Sequence, residues 1–288
     1  VLPAALLVLL LGVLAGLVSR SRRRKGKTGF LTALLDLWRR YRYLLKTLVL
    51  RDFKVKYKAS VLGVVWSFLN PLLITLVYYV VFNNIFHNNI PYFPVYLMSG
   101  VILFNYFSDA TSLGLGAIVG NAGLITKVYI PKFIFPVSKA LSSAINLVIS
   151  FIPLMIIMLF SGVSFHKSLL LLPIVIVLLV LFAMGFAMFL SSLNVFFRDT
   201  QFLWSVLITM WNFLTPIFYP ESIIPARFMP IYRLNPMYQF CTLARTLILQ
   251  GASPAPDVYF GCLAWSMIAL ALGALFFHRT QNRFAFYL

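Results

Sequence analysis

Apolar residues fall in long blocks rather than in single alternation. Six blocks, at about 60–82, 95–118, 137–160, 169–192, 200–219 and 258–277, are separated by short polar or basic segments. Crossing the hydrocarbon core of a bilayer takes about 20 apolar residues in a helix, so each block predicts a transmembrane helix. A further apolar run, 1–18, ends in the basic cluster Arg20 to Lys27. A secretory signal carries its charges before the apolar stretch. The reverse order here predicts an extra N-terminal span with its N-terminus outside.

Two segments break the pattern. Between 30 and 58, Leu34, Leu37, Trp38, Tyr41, Leu44, Leu45 and Leu48 recur at helical spacing, and eight Lys or Arg lie from Arg39 to Lys58. That is the pattern of a basic amphipathic helix lying in the membrane interface. Its surface also suits docking by a partner. Residues 220–257 are too apolar for a water-exposed loop and too interrupted by proline for one span. Short helices that re-enter the outer leaflet satisfy both facts, since non-helical backbone at that depth must be buried in protein or line a cavity. The expected fold is all-α and polytopic. It has an N-terminal segment 1–29, an interfacial helix 30–58, and a six-span domain 59–288 with re-entrant outer helices before the last span.

Composition agrees with this reading: 61% of residues are hydrophobic and 10% charged, and mean hydropathy is +0.94. A soluble domain needs more charge to cover its surface. The net charge of +18 would suggest nucleic acid in a soluble protein, but no soluble domain carries a basic patch. Placing 30–58 on the cytoplasmic side puts 20 of the 24 Lys and Arg inside, as the positive-inside rule requires. The location implied is a cell membrane, with membrane lipid as a partner and no nucleic acid.

Candidate chemistry is sparse. Cys241 and Cys262 make neither a disulfide framework nor a zinc site, and free thiols are expected. His87, His166 and His278 have no metal-ligand spacing. Lys25-Gly26-Lys27-Thr28 imitates the end of a phosphate loop, but the position that needs glycine is Ser21. Of the six acidic residues only Asp109 falls well inside a predicted span, leaving no acidic pair or relay for ion coupling. No nucleophile–His–acid set is present either. These facts weigh against a stand-alone ion-coupled carrier or membrane transferase, and place any energy source on another polypeptide.

A linear series of short motifs remains. Arg51-Asp52-Phe53 and Lys56-Tyr57 precede Leu62-Gly63 and Trp66, then Leu69-Asn70-Pro71. Phe196-Phe197-Arg198-Asp199 follows the fourth core span, Thr215-Pro216-Ile217-Phe218-Tyr219 ends the fifth, and Leu234-Asn235-Pro236-Met237-Tyr238 lies in the re-entrant stretch. In this order, over about 35–280, the chain resembles the membrane subunit of type-2 ABC exporters of lipid-linked polysaccharide, which handle O-antigen, teichoic acid and capsule. Export of drugs or small lipids is the alternative within that fold.

The resemblance implies a dimer of this chain with two cytosolic ATPase subunits, which would hold ATP and Mg, and a lipid-linked glycan as substrate. No cofactor is expected on this chain. It implies coupling to the ATPase through Arg51 and Asp52 and through the loop residues Leu124, Lys127, Val128, Tyr129, Pro131 and Lys132. It implies a translocation path along the first and fifth core spans, where Trp66, Tyr78, Tyr79, Phe202, Trp204, Trp211, Phe218 and Tyr219 supply aromatic faces for sugar rings. The proline-rich outer segment, with Pro216, Glu221, Arg227, Arg233, Asn235 and Pro236, would form the outer gate. There Arg227, Arg233 and Arg245 are placed to meet a lipid pyrophosphate or outer headgroups. Arg198 and Asp199 form a structural turn, Arg198 holding carbonyls or headgroups and Asp199 capping the next helix.

Overall fold

The computed structural model describes residues 30–58, 60–86, 90–127 and 130–287. The predicted N-terminal span and its basic stop, with His87, Val128 and Tyr129, lie outside the described residues. The chain divides after Leu48 into two compact units. The described part of the first unit is the front of helix α1 (Phe30–Tyr57), which runs unbroken because no glycine or proline occurs in it. Tyr41, Leu44, Leu45 and Leu48 are less exposed than Arg42, Tyr43, Lys46 and Thr47. From Tyr41 to Leu48 the exposure thus alternates at helical spacing.

The second unit is a helical bundle of α2 (Val65–Phe86), α3 (Phe93–Leu115), α4 (Ile134–Phe160), α5 (Leu172–Phe196), α6 (Thr200–Leu214), α7 (Pro236–Arg245) and α8 (Pro256–Thr280). Among the described residues there is no strand. Helix α3 is the central post. It touches α2, α4, α5, α6 and α7, and 16 of its 23 residues are buried. Phe107 stands in the middle of an aromatic cluster with Phe182, Phe186, Trp204 and Trp211, at centroid distances of 5.2–6.3 Å.

Between membrane helices there is little hydrophobic drive, so contact depends on close backbone approach and interhelical hydrogen bonds. Helices α5 and α8 show both. A Cβ on Gly185 would collide with the backbone of Ala269, and one on Gly273 with the carbonyl of Gly185. Nearby, Ser266 Oγ of α8 donates to the Leu178 carbonyl at 2.7 Å. Pro71 in α2 cannot donate a backbone bond to the Ser67 carbonyl. Ser150 Oγ of α4 donates to that carbonyl at 3.4 Å, so the broken turn also cross-links two helices.

Five of the six predicted core spans appear as helices of 22 to 27 residues. The fifth in order differs: α6 stops at Leu214 after 15 residues, about 22 Å at the helical rise. The apolar run continues to Tyr219, but the residue before a proline is driven out of the helical region. Thr215, before Pro216, is extended accordingly. Among the described residues, four helices are long and apolar enough to cross a membrane, or five if α3 and the bent continuation Val119–Ile125 count as one span.

Gly273→Val should lower the thermal midpoint in detergent and broaden the gel-filtration peak, because overpacking costs about 1–3 kcal/mol. Gly120→Ala, where nothing lies within 4 Å of the added methyl, should leave both unchanged.

Candidate functional site

The cytoplasmic end is organised by ion pairs. Asp52 of α1 bonds Lys139 of α4 at 3.0 Å and Arg51 at 2.9 Å, and its side chain is only 9% exposed. Arg51 is exposed. The two residues expected to act together on a partner are thus divided: Asp52 is committed inside the bundle, and Arg51 remains on the surface. Asp109 of α3 faces Lys56 at 3.3 Å with both side chains half-exposed.

Beyond α3 the chain bends by 52° into the short segment Val119–Ile125. Leu124 is half-buried there and Lys127 exposed. Pro131 and Lys132 are half-buried. Lys132 Nζ donates to the Gln281 carbonyl at 2.7 Å and lies 5.7 Å from the Phe284 ring. Burial lowers its amine below the usual lysine range. Lys132 is therefore an internal tie to the end of α8 rather than a free docking charge. Arg198 and Asp199 are exposed. Asp199 occupies the N-cap of α6 without a side-chain capping bond, and its backbone carbonyl instead accepts from Phe202 and Leu203. Among the described residues the Arg198 side chain makes no hydrogen bond or ion pair.

The outer end is built around the bend that stops α6. The turn Thr215–Phe218 is buried, so its freed carbonyls need partners. Arg245, at the end of α7 and only 6% exposed, supplies them. It donates to the Pro216 carbonyl at 2.7 Å and to Ile217 at 3.2 Å, and to the Tyr96 carbonyl at 3.4 Å. The guanidinium lies 3.5 Å from the centroid of the Tyr96 ring, a cation–π contact. Tyr96 Oη in turn donates to the Pro216 and Tyr219 carbonyls at 3.1 and 2.9 Å. Gly100 leaves the space: an added Cβ would sit 2.8 Å from Arg245 Nη2 and 3.1 Å from Ile217. A π-helical turn, Thr246–Gln250, follows directly.

Asn235 ties the same turn to α7. It caps that helix, accepting from Met237 N at 3.0 Å and from Trp211 Nε1 at 2.8 Å, and donates to Thr215 Oγ1 at 3.3 Å. Pro236 starts α7, where its missing N–H costs nothing. Residues 221–250 form the expected short helices, including Met229–Leu234. Arg227 and Arg233 are exposed and Glu221 half-buried. Arg245, placed in sequence with the two surface arginines, is a buried brace and does not reach headgroups.

The aromatic set separates by exposure. Trp66 is 42% and Phe202 65% exposed. Trp204 is buried, donating to Thr111 Oγ1 at 3.2 Å. Trp211 packs on Phe107 and Phe186. Phe218 is buried 4.5 Å from Tyr78 and 5.6 Å from Phe82, and Tyr79 faces Phe93 at 6.2 Å. Tyr219 Oη donates to the Phe213 carbonyl. In this conformation Trp204 and Phe218 support the bundle from within and offer no path surface; Trp66 and Phe202 are free to offer one.

The family description "ABC-2 type transporter" matches residues 43–249. The chain belongs to the ABC-2 transporter family. The O-antigen export system permease protein RfbA of Myxococcus xanthus is 33% identical over 85% of this chain and 95% of its own length. A Klebsiella pneumoniae protein of the same name is 30% identical over 84% and 93%. The polysialic acid transport protein KpsM of Escherichia coli is 26% identical over 72% and 81%. This ABC-2 chain is a transport subunit of the bacterial cytoplasmic membrane, and in its family the ATPase is a separate subunit.

Within this ABC-2 subunit, two of the sequence motifs meet at one place. The Thr215–Tyr219 and Leu234–Tyr238 motifs meet at Arg245 and Asn235. Tyr96, Gly100 and Arg245 complete that knot and belong to no motif singled out in the sequence. Their only signal was a lone arginine in an otherwise apolar helix. Cys241 and Cys262 are buried free thiols, as expected.

Arg245→Met should lower the thermal midpoint strongly, because each buried carbonyl left unpaired costs about 1–3 kcal/mol. Arg245→Lys should recover little, since an ammonium lacks the planar fork and the stacking face. Arg227→Gln and Arg233→Gln, at exposed sites, should leave the midpoint within the error of a calorimetric scan.

Proposed function

We infer that this chain is the membrane half of an ATP-driven exporter that moves a polysaccharide on its lipid carrier from the cytoplasmic to the outer face. The observation that carries this reading is the similarity to O-antigen export permeases at 30–33% identity over 84–85% of the chain. The KpsM resemblance is lower and concerns polysialic acid by that protein's name. The two names share polymer export, which favours a glycan over a drug or small lipid.

The working unit is two copies of this chain with two ATPase subunits, which hold ATP and Mg. The least covered apolar faces are those of α2, through Leu76, Val77 and Val80, and of α6, through Phe202, Val206 and Met210. A second copy meeting these faces puts Trp66 and Phe202 beside the polymer. At the cytoplasmic end Leu124 and Lys127, with Arg51, offer apolar and basic contacts that suit a groove on the ATPase. Its movement reaches the bundle along two routes. One is the bent continuation of α3. The other is Lys132, which holds the end of α8. The outer exit lies beside the braced Thr215–Tyr219 turn, and Arg227 and Arg233 lie near enough to the surface for pyrophosphate or headgroup contact.

The test is co-purification of the tagged chain with an ATPase subunit from its native membrane, in mild detergent. A stoichiometric complex is expected, and Leu124→Asp with Lys127→Glu should reduce the recovered ATPase about tenfold or more, a loss of about 1.4 kcal/mol. A chain that purifies alone with full stability, and whose deletion leaves surface polysaccharide intact, would overturn the reading.

A further inference from the structure

A cavity of about 250 Å3 opens between the end of α1 and the cytoplasmic halves of α2, α3 and α4. Its wall is unusual for a membrane bundle. Three carboxamides border it, Asn70, Asn105 and Asn146, one from each of three helices. Among the described residues neither the Asn70 nor the Asn105 side chain has a protein hydrogen-bond partner. Ser143, 98% buried by its 2% exposure, also borders the cavity with its hydroxyl unpaired. The Asn70 carboxamide is exposed and that of Asn105 half-buried, so their donors and acceptors are available to a polar occupant.

The shape of the demand identifies the class of that occupant. A carboxamide offers a donor and an acceptor side by side, which matches neighbouring hydroxyl groups on a ring. Trp66 borders the opening and supplies an aromatic face for stacking. Charge is balanced: Lys56 and Asp109, the only ionic residues on the wall, pair with one another at 3.3 Å. A site for a free ion would carry net charge of the opposite sign. At about 250 Å3 the space is smaller than the roughly 300–1,000 Å3 of drug-sized ligand sites, which suits a single ring. The frame is fixed independently of any occupant, because Tyr57 Oη donates to Asn146 Oδ1 at 3.0 Å and accepts from Ser67 Oγ.

We propose that this cavity is a binding site for a single neutral, polyhydroxylated ring, a sugar headgroup presented from the cytoplasmic leaflet. It rests on the reading of the chain as an exporter subunit with α1 on the cytoplasmic side. It shares Trp66 with the α2 face assigned to the polymer and is lined by no residue of α6.

Native mass spectrometry of the full chain, released from nanodiscs, tests this without the ATPase and without export. Nanodiscs of phosphatidylcholine with monoglucosyl diacylglycerol are compared with phosphatidylcholine and phosphatidylglycerol alone. One retained glucolipid per chain is expected, displaced by millimolar methyl glucoside if the sugar alone suffices and resisting it if the lipid tails contribute. Either result supports the hydroxylated-ring site and tells the two sources apart. Asn70→Leu with Asn105→Leu should reduce retention at least about fivefold, the scale of one hydrogen bond near 1 kcal/mol, at unchanged elution volume and thermal midpoint. If the double variant fails to fold, Asn70→Leu alone, at an exposed position, carries the comparison. Equal retention of phosphatidylcholine or phosphatidylglycerol, or undiminished glucolipid binding by the folded variant, would overturn the site. Such a result leaves the export reading standing, since co-purification with the ATPase is read separately.

Discussion

Ending a helix inside a membrane leaves carbonyls that no water can reach, and the rest of the outer half is arranged around that constraint. Pro216 forces the stop, and the turn that follows is buried. The Arg245 guanidinium then does what water does in a soluble protein. Its fork spans the Pro216 and Ile217 carbonyls and its face rests on Tyr96. A buried cation normally calls for a carboxylate. Here several carbonyl dipoles and an aromatic face take that place, and no acidic side chain pairs with Arg245 among the described residues. The missing Cβ of Gly100, the cap made by Asn235 and the hydroxyl of Tyr96 are all conditions for that one substitution.

The cytoplasmic half follows a different logic. Charges there are paired at positions where helices meet: Asp52 with Lys139 joins α1 to α4, and Lys56 with Asp109 joins α1 to α3. Lys132 closes the set by holding the end of α8 through Gln281. The positive surplus that sets topology is thus partly used as mechanical fastening, and Arg51 and Lys127 remain exposed for a partner. The division between fastened and free charges decides which residues can transmit force and which can receive it.

Most of the fold was legible because periodicity and run length report directly on environment. The amphipathic helix, the apolar blocks and the proline-broken outer stretch all reappear near their expected limits. The length of α6 was misread because apolarity continues through Thr215–Tyr219, while helicity is a backbone property that Pro216 ends. Exposure within the aromatic set was not legible either. Trp204 and Phe202 lie two residues apart, and run length alone does not say which of them a neighbouring helix covers. Arg245 and Asp52 were placed at the surface because charge in a single sequence carries no sign of a partner. Their partners, at Pro216, Ile217 and Lys139, lie 28 to 87 positions away. The polar cavity was invisible for the same reason: Asn70, Asn105 and Asn146 are ordinary residues until three helices bring them together.

The shortness of α6 carries one more consequence. Its 15 residues cover about 22 Å, against a hydrocarbon slab of about 30 Å. Hydrophobic mismatch of this kind is relieved by thinning the bilayer or by drawing polar groups inward, at fractions of a kcal/mol per Å. Polar turns close both ends of α6, at Arg198–Asp199 and at Thr215–Pro216, so the polar boundary on each side is carried toward the midplane along this one helix. A bilayer around this chain is therefore expected to be thinnest beside α6.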